Sequence, residues 1–303
     1  MSSYYPFPRK TPMRVTFLSG LTLLTAFGLV PAIGVVVLSF TDIRGLPGIP
    51  VRWVGVENYL DIVSPAHFGD NLNAIKNTLI FGVVTTVAQI ALALAIAVLF
   101  NQRLRGRNLY RAIVFMPTVL GVTVIGLIWS LIFNPSGGPA AGLLARLGRD
   151  SAFFGDPQLA LGLVMFVQLW SVLGISVVIF LAGLQAIPVE LYEVAGIDGA
   201  NAGQKFRHVT VPMLAPSITA NVLLGIVSAL QSYQLTYVLT GANNPATQLL
   251  SLLVYVQGFG GVAGSPVSQS QGYASAISVV QFLIVGAIAV TALLYLRKRE
   301  ARL

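Results

Sequence analysis

The 303-residue chain contains no cysteine, which excludes disulfides, thiolate metal sites and cysteine nucleophiles. Charge is scarce: 9% of residues are Asp, Glu, Lys or Arg, against about a quarter in an ordinary soluble domain, and 55% are hydrophobic. The mean hydropathy is +0.81. Such a chain is an integral membrane protein. Histidine is nearly missing as well. His67 and His208 lie far apart, with no carboxylate at ligand spacing, so no metal site is expected. There is no G-x-x-x-x-G-K-[ST] phosphate loop, and no paired Asp, His or Ser-Lys groups fall within apolar runs, so no catalytic constellation is expected either. The net charge of +8 does not point to nucleic acid, because the bases cluster beside apolar runs instead of lining a polar face.

A membrane crossing needs about 20 mostly apolar residues. Six runs qualify: Val15 to Phe40, Asn77 to Phe100, Leu109 to Phe133, Leu159 to Ile187, Val211 to Thr240 and Tyr273 to Leu296. The first follows Arg9, Lys10 and Arg14 but is too long for a signal-peptide core, and it reads as a retained helix. Pro31, Pro117 and Pro216 fall in or near spans, where neighbouring helices can satisfy the freed carbonyls. The fold class is therefore all-α integral membrane, divided into residues 1–76 (tail, first helix and external loop) and a five-helix core at 77–303.

The loops differ in Lys and Arg. One side holds Arg9, Lys10, Arg14, Arg103, Arg105, Arg107, Arg111, Lys205, Arg207, Arg297, Lys298, Arg299 and Arg302; the other holds Arg44, Arg52, Lys76, Arg146 and Arg149. The positive-inside rule puts both termini and the loop after the fourth run in the cytoplasm. The Arg103 to Arg111 cluster mainly sets orientation, with anionic lipid or a partner subunit as its other candidate contacts.

That loop, Pro188 to Pro216, is polar where its flanks are apolar. Pro188 suits a first helical turn, Gly199 a turn with positive φ, and Asn201 the cap of a second short helix ending near Phe206. Two short helices joined by an elbow are expected. Its residues Glu190, Glu193, Ala195, Asp198, Gly199, Ala200, Phe206 and Pro212 resemble the EAA loop in the membrane subunits of binding-protein-dependent ABC importers, with Val194 where Ala is usual. Further runs resemble the maltose- and lactose-type sugar permeases: Trp53, Gly55, Asn58 and Tyr59; Phe115 to Pro117; Asn134 and Pro135; Leu239 to Gly241, Pro245 and Thr247; and Gly272 to Ala276. The resemblance implies a coupling loop at 188–210 that fits a separate ATP-hydrolysing subunit. It also implies a second permease subunit, an extracytoplasmic solute-binding protein, a sugar substrate and a bacterial or archaeal plasma membrane. ATP and Mg would belong to the partner, and this chain would bind no cofactor and be no enzyme.

Driving force must come from outside the chain, since the span centres hold no ionisable group and the sequence marks no broken helix. For the solute path, the fifth run carries Ser217, Asn221, Gly225, Ser228, Ser232 and Thr236 near helical period. Small polar residues of this kind are also common glue between membrane helices. The candidate path is Ser228, Gln231, Ser232 and Gln234, joined by Gln168 and Ser171 of the fourth run, which the resemblance implicates. Hydroxyls and amides suit an uncharged polyol, with Tyr233, Tyr237 or Trp170 as a stacking surface. The competing readings are a permease for glycerol phosphates, amino acids or peptides, and a gradient-driven secondary transporter.

Overall fold

The computed structural model describes residues 10–45, 48, 50–102, 105–260 and 270–300. Arg9, Arg103 and Arg302, counted above for orientation, lie outside the described residues. The architecture is helical. Helix α1 runs Lys10–Leu24, widens into a π-helical turn at Thr25–Leu29 and continues as Val30–Leu38. The cause is local: Pro31 has no N–H to donate to Phe27, and the ladder resets with the Val30 N–H reaching back to the Thr25 carbonyl. Next come the short α2 (Glu57–Ile62), the long α3 (Phe68–Asn101), α4 (Arg107–Val119), α5 (Val122–Ile132), α6 (Pro139–Ala145) and α7 (Ala160–Gln185). Then follow α8 (Val189–Ile197), α9 (Ala202–Met213, with a π-helical turn at Phe206–Thr210), α10 (Ala215–Leu230), α11 (Tyr233–Thr240), α12 (Leu250–Phe259) and α13 (Gln271–Glu300).

Four of the expected spans are long apolar helices: α1, α3, α7 and α13. The other two are broken. The third bends by 104° between α4 and α5. Pro117 withdraws a donor from the last turn of α4, and Leu120 and Gly121 are both extended. The fifth is not one helix from Val211 to Thr240. It bends by 66° between α9 and α10 and breaks again at Gln231 and Ser232. The expectation of unbroken helices therefore fails here. The interruption is stabilised from a neighbour: the Gln281 amide on α13 donates to the free Leu230 carbonyl at 2.8 Å. Helix α12, shorter than a span, was not foreseen. The division at residue 76 falls inside α3, which starts at Phe68, ahead of the expected Asn77.

Helices α3, α7 and α10 form the centre. Without a hydrophobic driving force between helices in lipid, close backbone approach and polar links hold such a bundle together. Gly174 of α7 lies so near α4 that a Cβ would stand 2.8 Å from the Val114 carbonyl oxygen. Gly225 of α10 packs on Thr86, whose Cγ2 would be 3.0 Å from a Cβ there. Gln89 of α3 donates to Ser176 of α7 at 2.6 Å. One apolar cluster, around Phe81, Val164, Val167, Leu235 and Leu252, surrounds the broken fifth span. A second, built on Ala93, Phe100, Phe180, Leu184 and Leu214, sits next to α8 and α9.

The end away from α8 is pinned by backbone carbonyls. Asn58 donates to the Ser39 and Thr41 carbonyls at 2.8 and 2.9 Å, and Ser39 shares a 2.7 Å bond with the Tyr59 hydroxyl. Phe40 stacks on Trp53 at 5.6 Å. Asn77 donates to the Pro245, Ala246 and Gln248 carbonyls, and Asn73 also reaches Pro245. By contrast, α1 keeps its apolar surface: Phe17, Phe27 and Ile33 are all exposed, and none of its most apolar window is buried.

Candidate functional site

Two regions carry the predicted residues. The first is the helix–elbow–helix of α8 and α9. Pro188 precedes α8 with φ −59° and ψ 134°. The helix stops because Gly199 turns left-handed at φ +78°, while the Ala200 N–H returns to the Ala195 carbonyl at 2.9 Å. Asn201 and Gln204 then form a reciprocal capping box: the Asn201 side chain accepts from the Gln204 N–H at 2.9 Å, and the Gln204 side chain accepts from the Asn201 N–H at 2.8 Å. The second helix does not end near Phe206. It passes through the π-helical turn and continues to Met213, leaving one residue, Leu214, before α10 begins.

Tyr192 anchors the elbow, its hydroxyl 3.0 Å from Thr210 Oγ1 and its ring packed in the cluster with Phe100, Leu184 and Leu214. The outer surface combines acid and apolar groups. Glu190, Glu193, Asp198, Gly199 and Phe206 are exposed, whereas Ala195, Ala200 and Pro212 are half-buried. Beside them Ile197 is 86% exposed and Val194 56%. Val194 thus crowds nothing within this chain. The elbow presents an exposed apolar tip on a capped and anchored element.

The second region is a recess of about 280 Å³ at the break in the fifth span. It is lined by Gln168 and Ser171 of α7, Ser228 of α10, Gln231 and Ser232 of the break, and Gln234 of α11, with Val122, Ile125, Val172 and Leu235. All the predicted path residues therefore meet around one space. Ser232 donates to Gln168 Oε1 at 2.8 Å, and Gln168 Nε2 donates to Ser228 Oγ at 3.4 Å. Ser171 donates to the Gln168 carbonyl at 2.7 Å. Gln168 is thereby held from both ends, while Gln231 and Gln234 remain exposed to the space. The wall offers hydroxyls and amides and no charged side chain, an arrangement suited to a neutral, hydroxyl-rich molecule.

The rest of the polar stripe does something else. Asn221 and Thr236 are fully buried, Gly225 packs on Thr86, and Ser217 accepts from the Asn221 amide through its carbonyl at 3.0 Å. These residues lie in helix contacts, and of the stripe Ser228 and Ser232 reach the recess. Of the aromatic candidates, Tyr233 and Tyr237 flank α12, and Trp170 lies edge-on to Trp129 at 5.4 Å. Among the described residues, no group of three or more His, Asp or Glu is placed to hold a metal.

Residues 89–301 match the family described as binding-protein-dependent transport system inner membrane component. The chain belongs to that family. It is accordingly a multi-pass inner-membrane component of such a transport system. Its relatives differ in their solutes. It is 33% identical over 266 residues to the multiple sugar-binding transport system permease protein MsmF of Streptococcus mutans, covering 86% of this chain and 87% of that one. It is 31% identical over 258 residues to the sn-glycerol-3-phosphate transport system permease protein UgpA of Agrobacterium fabrum, covering 83% of each. The same fold is seen in a bacterial ABC transporter involved in the import of the acidic polysaccharide alginate, with a TM-score of 0.80 over 96% of both chains at 20% identity.

Proposed function

We propose that this component passes a neutral sugar or oligosaccharide through the recess at the α10–α11 break, driven by an ATPase that docks on α8 and α9. The observation that carries the reading is the convergence of Gln168, Ser171, Ser228, Gln231, Ser232 and Gln234 on one uncharged cavity in a broken span. A glycerol phosphate or another anion would want Arg or Lys in that wall, and the wall has none. A binding protein outside would deliver the solute, and a second permease subunit would complete the path. The elbow would carry ATPase motion to α10, to which α9 is directly joined. That role requires α8 and α9, and with them both termini, to face the cytoplasm, as the Lys and Arg distribution favours. ATP and Mg are bound by the partner.

Reconstitution tests the reading. The complex of this chain with its second permease, ATPase and binding protein is placed in proteoliposomes, and uptake of neutral sugars and of glycerol 3-phosphate is measured. Sugar uptake that needs ATP on the loop side is expected. Uptake driven by a proton or sodium gradient without ATP would favour a secondary transporter, and transport of glycerol 3-phosphate alone would overturn the sugar assignment.

A further inference from the structure

A second space adjoins the first. About 470 Å³ in size, it is lined by Tyr233, Gln231 and Gln234 on one side, Ser251, Val254, Tyr255 and Phe259 of α12 on another, and Gln281 of α13. Gln231 and Gln234 line both spaces, so the two meet at the broken span. Its chemistry differs from that of the first. Tyr233 stacks on Tyr255 at 5.0 Å with 25° between the planes, and Tyr255 lies 5.7 Å from Phe259 at 35°. The three rings make a continuous aromatic run from α11 onto α12, and Phe259 is 70% exposed at its end.

Beside this surface Ser251 is an anomaly. Its residue is 9% exposed, yet its hydroxyl has no hydrogen-bond partner. A buried hydroxyl without a partner costs about 1–3 kcal/mol, and a ligand hydroxyl at this place would relieve that cost. Aromatic faces next to hydroxyl and amide groups suit the two sides of a pyranose or furanose ring, whose C–H face packs on the ring and whose edge hydroxyls bond to the polar groups. The first space is about 280 Å³. The second continues beyond it.

We infer that Ser251, Tyr255 and Phe259 of α12, with Gln231 and Gln234, form a second carbohydrate subsite, so that the path receives a neutral oligosaccharide with successive units on either side of the α10–α11 break. The inference rests on the sugar reading above. Gln231 and Gln234 act as shared partners at the junction, and the aromatic strip takes the next unit. Gln281 lines the same space while its amide holds the Leu230 carbonyl, so the wall of the subsite and the capped break are one construction.

The test uses the full complex in proteoliposomes and two probe series, malto-oligosaccharides and arabino-oligosaccharides from disaccharide to pentasaccharide. In whichever series the unaltered complex transports, Phe259→Ala and Ser251→Ala are expected to raise KM for the trisaccharide and longer members by about three- to tenfold while leaving the disaccharide within about twofold. Tyr255→Phe, which keeps the stacked ring, should remain close to the unaltered protein. Phe259 is 70% exposed, and co-purification of the partners verifies that the variant assembles. Equal effects at every length, or no effect at any length, would overturn the subsite, as would transport limited to mono- and disaccharides. If the complex moves a non-carbohydrate solute and none of these sugars, the sugar reading itself fails, and the inference with it.

Discussion

At the scale of single residues, Gly199 shows how one conformation serves a whole element. A Cβ there would meet nothing within 4 Å, so space does not require glycine; the φ of +78° does. A β-branched residue in that region is strained by about 1–2 kcal/mol and would swing α9 away from its present line. Gly199→Val is therefore expected to abolish uptake or release the ATPase while the spans still insert, and Glu193→Lys to impair coupling by reversing an exposed charge. Uptake and ATPase co-purification measured together check this; if both variants are normal, α8 and α9 are not the docking element. This site was legible in the sequence because its chemistry is local: Gly for the left-handed turn, Asn201 with Gln204 for the cap. What the sequence reading missed was the continuation past Phe206, where Pro212 follows a π-helical turn as Pro31 does in α1: it has no N–H to donate to His208, and the Val211 N–H resets the ladder onto the Phe206 carbonyl. Ser251 was invisible for another reason, because its unpartnered hydroxyl exists only once α12 is folded against its neighbours.

At the scale of elements, composition located the spans and failed at their breaks. The bend between α4 and α5 has a written cause in Pro117 and Gly121. The break between α10 and α11 has none: Gln231 and Ser232 are not helix breakers, and the interruption depends on Gln281 from α13 holding the Leu230 carbonyl. Helix α12 escaped notice because its ten residues, Leu250–Phe259, are too few to cross a membrane. Of the polar stripe, Ser228 and Ser232 reach the recess, whereas Asn221, Gly225 and Thr236 are buried in helix contacts. The loop before α12 is held by several side chains, with Asn77, Asn73, Thr240 and Asn244 all bonded to it or within it. Asn77→Ala removes the donor to three carbonyls, at Pro245, Ala246 and Gln248, and should lower stability by about 1–3 kcal/mol. Thermal unfolding in detergent should show a lowered Tm and proteolysis near residues 241–249; an unchanged Tm would mean that the loop is held elsewhere.

At the scale of the whole molecule, the chain is an incomplete machine. Phe17, Phe27 and Ile33 of α1 are exposed, the elbow ends in an exposed Ile197, and no charged side chain lines the recess to drive transport. Orientation is the first consequence to test. Because the chain lacks native cysteine, Ala202→Cys and Ser136→Cys can each be labelled alone with an impermeant thiol reagent in intact cells. Ser136, in an exposed stretch at 134–137, should react and Ala202 should not. Labelling at position 202 from outside would reverse the topology.

The most direct test of the recess as the solute path is Ser228→Leu, with substrate uptake and partner co-purification measured on the same preparation. Ser228 is half-buried, lines the space and accepts from Gln168 at 3.4 Å, so leucine fills the path and removes a hydroxyl. The predicted result is loss of uptake by about tenfold or more with the second permease, the ATPase and basal ATP hydrolysis retained. Normal uptake by an intact complex, or a complex that falls apart because the serine was helix glue, would contradict the assignment.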